Sequence, residues 1–199
     1  MGTLLLLAML LAQGRPLFYW GARSPVVAPG VHSGPAEVAK VTEVHAALDG
    51  GDLVLRLTLD RTVEVATHAR DGRPVSGRLQ ALLYLDADDD PATGQAAAPA
   101  DPRTGAERLI ELGTLYIGED EDEQRPAQLR VMVTVSALDR EGRRARLWSA
   151  DHVEAPERFF LYQERLEVRL PAFQSSAREG SRLVYAAAAE TFEGRLTAP

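Results

Sequence analysis

Cysteine is absent from the 199 residues of this chain. Its absence excludes disulfide bonds, thiolate catalysis, iron–sulfur clusters and cysteine-ligated zinc. It also excludes a lipid-anchored lipoprotein, because that anchor is attached to a cysteine. The absence says nothing about the compartment, since a chain of this length buries enough apolar surface to fold as one domain without disulfides.

Lysine is almost absent, and Lys40 is the only one. Acidic residues outnumber lysine and arginine by 29 to 22, so the net charge at pH 7 is −7. A net negative charge argues against binding to nucleic acid or to an anionic membrane surface, because both partners attract basic proteins. Aromatic residues are also few, at 6% of the chain.

The apolar stretch at residues 4–12 is too short to span a bilayer, but it has the length of the hydrophobic region of a secretory signal. Small residues at 12 and 14 would allow cleavage before Arg15, although no lysine or arginine precedes the stretch. A buried first strand or a misplaced start codon are the alternatives. We expect residues 1–14 to be a signal peptide, and the protein to be periplasmic or secreted with no stable membrane span.

Residues 15–37 are rich in proline and glycine, which is typical of a linker or an irregular segment. From residue 38 apolar and polar residues alternate with the period of a strand that buries one face, most regularly at 53–59, 79–85, 129–135 and 165–170. The small residues at 183–191 are predicted to form the last strand. Helical spacing is not sustained over any long stretch. The pattern predicts one domain at 38–199, an antiparallel, jelly-roll-like β-sandwich of eight to ten strands with short helical turns near residues 91–94 and 172–179.

The most acidic turn follows the strand at 79–85. Asp86, Asp88 and Asp90 have the spacing that opens an EF-hand loop, but Pro91 and Ala97 occupy the positions that need glycine and glutamate. Asp90 before a proline also suits a capping residue. The other carboxylates repel one another, and three interpretations stay open: bound calcium, a solvated turn or a catalytic role.

The turn also carries a resemblance. Tyr-Leu-Asp-Ala-Asp-Asp-Asp-Pro-Ala-Thr-Gly at 84–94, followed by Gly-Ala-Glu-Arg at 105–108, resembles a signature of secreted bacterial β-sandwiches similar to family 9 carbohydrate-binding modules and DOMON-like domains. The resemblance implies a jelly-roll-like fold, export, a structural calcium ion, and sugar or haem as ligand. By that match the metal ligands are Asp86, Asp88, Asp90 and Glu107. In this chain Ala87 replaces the usual threonine, and Glu107-Arg108 replaces Asp-Tyr.

Ligand-binding residues are harder to identify. Sugar binding needs exposed aromatic side chains, for which Trp20 and Trp148 are the candidates, although packing against the core is the favoured interpretation of both. Haem would need an axial pair, and Met132 is the only methionine beyond the predicted signal. A lone methionine on a strand is more often a packing residue, so haem is the weaker prediction. Its axial partners would come from His45, His68, His152 and Lys40.

No catalytic motif is present. The acidic run at 119–123 is typical of a solvated hairpin tip. We therefore expect an exported, non-catalytic binding module with a calcium site at the acidic turn, and with carbohydrate as a candidate ligand. The alternative is an envelope structural or protein-interaction domain that binds no small ligand and has an envelope protein as its partner.

Overall fold

The computed structural model describes residues 38–63, 78–98, 101–117, 128–186 and 191–196. These residues form eleven strands, a 3₁₀ turn at Pro156–Arg158 and one short helix, α1, at Ala172–Ser175. The strands, in chain order, are β1 (Val38–Ala39), β2 (Val41–Asp49), β3 (Asp52–Leu59), β4 (Arg78–Asp86), β5 (Arg108–Ile117), β6 (Gln128–Leu138), β7 (Arg144–Asp151), β8 (Phe159–Tyr162), β9 (Arg165–Leu170), β10 (Arg182–Ala186) and β11 (Thr191–Arg195).

The strands form two sheets. The larger sheet has the order β11-β10-β4-β5-β6-β7, with β1 pairing in parallel with β4, and the smaller has the order β2-β3-β9-β8. All the other pairings between these strands are antiparallel. One apolar core takes buried side chains from both sheets, among them Leu55, Leu83, Ile110, Val133 and Val168. The predicted all-β, antiparallel sandwich is confirmed.

Alternation predicted which side chains face the core. Leu53, Leu55 and Leu57 are fully buried on β3, and the same period continues in the neighbouring strands. The alternation indicated one buried face, but Val54 and Glu167, on the other face of the smaller sheet, are also 0% exposed. Water is therefore excluded from these two positions as well, which a strand's own period cannot reveal.

One strand boundary was also wrong. The last strand was predicted as a single element over residues 183–191, whereas β10 and β11 are separate strands that pair with each other antiparallel, Val184 lying opposite Glu193. The helical turn predicted at 172–179 is confirmed over its first four residues, as α1. Residues 91–94 form a hydrogen-bonded turn, in which Thr93 N–H donates to the Asp90 carbonyl at 3.1 Å, and no helix.

The segment between β4 and β5 is placed by a second, smaller apolar cluster. Tyr84, Leu109 and Val184 project from the outer face of the larger sheet, where Ala106 and Leu138 pack against them. The guanidinium of Arg103 lies over the Tyr84 ring, 5.8 Å from its centroid. The segment is thereby folded back onto the sheet, which brings its two ends together.

Several predictions concern residues outside the described ranges: the signal peptide at 1–14, the linker at 15–37 with Trp20, His68 and the acidic run at 119–123. Within the described part of the chain, no helix is long and apolar enough to cross a bilayer.

Candidate metal centre

Asp86 ends β4 on the outer face of the larger sheet, and it is 2% exposed. Both of its carboxylate oxygens accept hydrogen bonds. Oδ1 accepts from the backbone N–H of Asp89 at 2.6 Å, and Oδ2 accepts from Nη2 of Arg182 at 3.0 Å. Arg182 lies directly opposite Asp86 in the β4–β10 register, so the buried charge of Asp86 is paired across two strands.

Asp88 and Asp90 lie in the turn that follows. The Oδ1 atom of Asp88 accepts from the N–H of Asp90 at 3.1 Å and from the hydroxyl of Thr93 at 3.0 Å. The Asp90 carboxylate accepts from the N–H of Ala92 at 2.8 Å, as a capping side chain does. Asp89 has a left-handed φ of 58°, and its carboxylate lies 2.6 Å from Arg195.

Glu107 comes from the far end of the same segment, one residue before β5. Its Oε2 atom accepts from the N–H of Ala87 at 2.7 Å, and its Oε1 atom lies 2.7 Å from the Thr93 hydroxyl. Gly105, at a φ of 89°, allows this approach because a Cβ there would lie 2.8 Å from Oδ2 of Asp86. The glycine therefore lets the two ends of the segment close against each other.

Asp86, Asp88 and Glu107 form an acidic triad, each offering a carboxylate oxygen within 4.8 Å of the other two. Such a group can hold a metal ion. The donor set is oxygen only, which suits a hard cation such as calcium. Three of the four predicted ligands are brought together, while the Asp90 carboxylate is directed to its cap instead.

Thr93 lies between the carboxylates. Its hydroxyl oxygen is within 3.0 Å of three acceptors, namely Asp88 Oδ1, Glu107 Oε1 and the Asp90 carbonyl. A hydroxyl has one hydrogen to donate, so it satisfies only one of them at a time. A proton or a cation in the same space would therefore be stabilised by the two acceptors that do not receive the hydroxyl hydrogen.

The two less buried carboxyls of the triad differ in their pKa values. Burial raises the pKa of Glu107, and the neighbouring negative charge of Asp88 adds to the rise. Desolvation opposes ionisation of Asp88 as well, but the N–H of Asp90 and hydrogen bonds with Glu107 and Thr93 outweigh it and lower the pKa of that carboxyl. Of these two carboxyls, Glu107 is thus the more readily protonated and Asp88 the more readily ionised.

Arg182 reduces the negative charge of the triad without removing it. Besides Asp86 it contacts the carbonyls of Pro102 and Thr104, at 2.9 and 2.5 Å, so it ties β10 to the turn before Glu107. Arg178 also acts electrostatically on Asp88, so the three carboxylates face two guanidinium groups and stay net negative when all are ionised. We call the acidic triad, with Thr93 and Arg182, the corner. A divalent cation fits both the donor chemistry and the charge of this corner.

The candidate ligand-binding residues lie elsewhere. Trp148 is half-buried against the core, with the guanidinium of Arg158 5.7 Å from its ring centroid. Met132 lies on the face of β6 opposite the core residues Val131 and Val133. Of the described histidines, His45 contacts Glu43 at 3.2 Å on the smaller sheet, and Nδ1 of His152 accepts from the N–H of Val131 at 3.1 Å. None of these residues joins the triad.

Comparison of the chain with protein-family models, with curated proteins and with solved structures gave no match. The resemblance of residues 84–108 to the calcium-containing sandwiches therefore stays a prediction.

Two residues of the corner were missed from the sequence. Thr93 belongs to the Pro-Ala-Thr-Gly turn and had a signal there, because it lies three to five residues after Asp88, Asp89 and Asp90. Arg182 had none, since 96 residues separate it from Asp86 and only strand pairing joins them.

Proposed function

We propose that the protein is an exported, non-catalytic binding module whose acidic triad holds a structural calcium ion. The observation that carries the proposal is the convergence of Asp86, Asp88 and Glu107 from both ends of one segment. The ion would bridge the end of β4 to the start of β5. It would supply charge compensation and a fixed chain path, while the ligand is bound elsewhere on the sandwich.

The geometry favours a structural role over a hydrolytic one. Asp88 and Glu107 each have a carboxylate oxygen within 4.8 Å of the other's, and both lie within 3.0 Å of the Thr93 hydroxyl. A pair of carboxyls that cleaves a glycosidic bond stands about 5–9.5 Å apart, to leave room for the sugar. The short separation of the Asp88 and Glu107 carboxylates instead suits two ligands that converge on one ion.

Calcium affinity is expected in the range of extracellular modules, with a dissociation constant of about 10⁻⁴–10⁻³ M. Two features point to weak binding: Asp88 is exposed, and one oxygen of Asp86 is already bonded to Arg182. Calcium at 100 times its dissociation constant stabilises a protein by about 2.7 kcal/mol. For a domain of this size that corresponds to a rise in Tm of about 5–10 °C.

The test combines calorimetric titration with thermal melts in calcium, magnesium and chelator. Asp88→Asn and Glu107→Gln keep the hydrogen-bond acceptors but remove a charge, and each should weaken calcium binding at least about tenfold. Asp90→Asn is the matched control, because an asparagine oxygen retains the cap to Ala92. It should leave calcium binding nearly unchanged. A Tm that is the same in calcium and in chelator would contradict the calcium site.

A further inference from the structure

The outer face of the larger sheet holds a groove next to the small apolar cluster. Its volume is about 490 Å³, which is within the range of small-molecule sites. Six of the side chains and backbone positions that line it are Gln80, Leu82, Glu111, Gly113, Met132 and Thr134. The groove shares no residue with the acidic triad.

Gly113 lies on the floor of this groove, in the middle of β5. It stands between Gln80 of β4 and Met132 of β6. The register with β6 is continuous, whereas the pair with Gln80 is the last of the β4–β5 ladder, so Gly113 lies where β5 separates from β4. Its φ is outside the left-handed region, so the backbone does not require glycine either. A Cβ would meet only the carbonyl oxygen of Leu79, at an ordinary 3.5 Å.

A glycine inside a strand weakens the strand, and it commonly marks a place where a ligand approaches closely. The β4–β5 ladder ends here, but no neighbouring atom is close enough to require a glycine. The missing side chain leaves a notch in the sheet surface between Gln80 and Met132. We infer that this groove is a binding site for an uncharged small molecule with an apolar body and hydroxyl or amide groups.

The lining sets the class of ligand. Leu82, Leu115 and Met132 provide apolar contact, and Leu115 is 45% exposed. Gln80 and Thr134 can both donate and accept hydrogen bonds. Glu111 is the charged residue among the described lining, and its Oε1 atom accepts from Arg144 at 2.9 Å. Because that charge is compensated, the groove favours a neutral ligand over an ion.

This inference rests on the proposed function only in treating the protein as a binding module. The calcium site has its own readout, the Tm shift, so failure of either claim is visible separately.

Met132 provides a direct reporter, because the other two methionines are Met1 and Met9. The full chain is labelled with [methyl-¹³C]methionine, and the Met132 signal is assigned with Met132→Leu. 1-Octanol, as the neutral probe, should shift this signal saturably. Octanoate and octylammonium should bind at least about tenfold more weakly, since each would bring an unpaired charge. Methyl β-glucopyranoside, which lacks the apolar body, should leave the signal in place.

Two substitutions separate the ligand site from the fold. Gly113→Ala should keep or raise the Tm by about 1–4 °C, because alanine fits the strand better than glycine. Gly113→Leu should fill the notch and weaken 1-octanol binding at least about tenfold. Ala145→Leu is the matched control, since it adds the same side chain at an exposed strand position outside the groove.

Four results would overturn the inference. They are a Met132 signal that does not respond to 1-octanol in the wild type, equal binding of octanol by Gly113→Leu, equal binding of octanoate, and a marked loss of Tm in Gly113→Ala. A saturable response to methyl β-glucopyranoside would replace the proposed ligand class with carbohydrate. Asp88→Asn should give the wild-type response to octanol whether or not the protein binds calcium.

Discussion

Replacing Arg182 by methionine should destabilise the protein strongly, because it leaves the buried carboxylate of Asp86 without its charged partner. Asp86 is 2% exposed, whereas Arg182 keeps 17% of its side-chain surface in water. A hydrogen bond between charged groups contributes about 1.5–3 kcal/mol, and breaking a buried pair by removing one partner costs about 3–5 kcal/mol. The partial exposure of Arg182 places the expected loss near the lower end, at about 3 kcal/mol.

The assay is urea unfolding followed by circular dichroism, in chelator and in calcium. A loss of about 3 kcal/mol corresponds to a fall in Tm of roughly 6–12 °C for a chain of this length. Calcium should restore part of the lost stability, because the bound ion compensates the charge of Asp86 that Arg182 no longer balances. Asp86→Asn combined with Arg182→Met should be more stable than Arg182→Met alone, since the buried charge is removed.

Arg195→Met is the matched control. Arg195 also bonds an aspartate of the acidic turn, at 2.6 Å from Asp89, but it is 57% exposed. Exposed ion pairs contribute little to stability, so this variant should unfold close to the wild-type midpoint. A loss below about 1 kcal/mol in Arg182→Met, or equal losses in the two arginine variants, would refute the role assigned to the buried pair.

Two further predictions concern backbone conformation and pH. Gly105→Ala should lower the free energy of unfolding by about 2–4 kcal/mol, as both a left-handed φ and a clash with Asp86 oppose the new Cβ. Gly180→Ala, at a similar φ of 85° but with nothing within 4 Å, should cost less in the same urea titration, and equal costs would argue against the contact. Burial lowers the pKa of His152 below its ordinary 6.5, so the unfolded chain binds its proton more readily than the native protein does. Stability should therefore fall as the pH drops below 6.5, and His152→Asn should flatten this part of the profile; an unchanged slope would exclude His152 as its source.

The all-β class of the fold was predictable, because the two-residue alternation of apolar and polar side chains along a strand is a local property of the sequence. Leucines two residues apart on β3, and the same pattern on β4, β6 and β9, each place one apolar face toward the core. Burial of the second face of the smaller sheet was not predictable, because it depends on what packs against Val54 and Glu167. The division of the last predicted strand into β10 and β11 was missed for a related reason, since small residues continue the strand pattern through the connection.

The acidic turn was also visible in the sequence, because carboxylates close together in the chain are necessarily close in space. The capping interpretation of Asp90 came from the same local information, and its bond to Ala92 agrees with it.

Only the tertiary structure decided how the corner is completed. Glu107 reaches Asp88 because two turns and the packing around Tyr84 fold the segment back on itself, and Arg182 reaches Asp86 because β10 pairs with β4. The groove around Gly113 likewise exists only once three strands lie side by side. Local sequence specifies the period and the charge of each strand, whereas the partners of a side chain follow from strand order and register, which depend on the free energy of the whole sandwich.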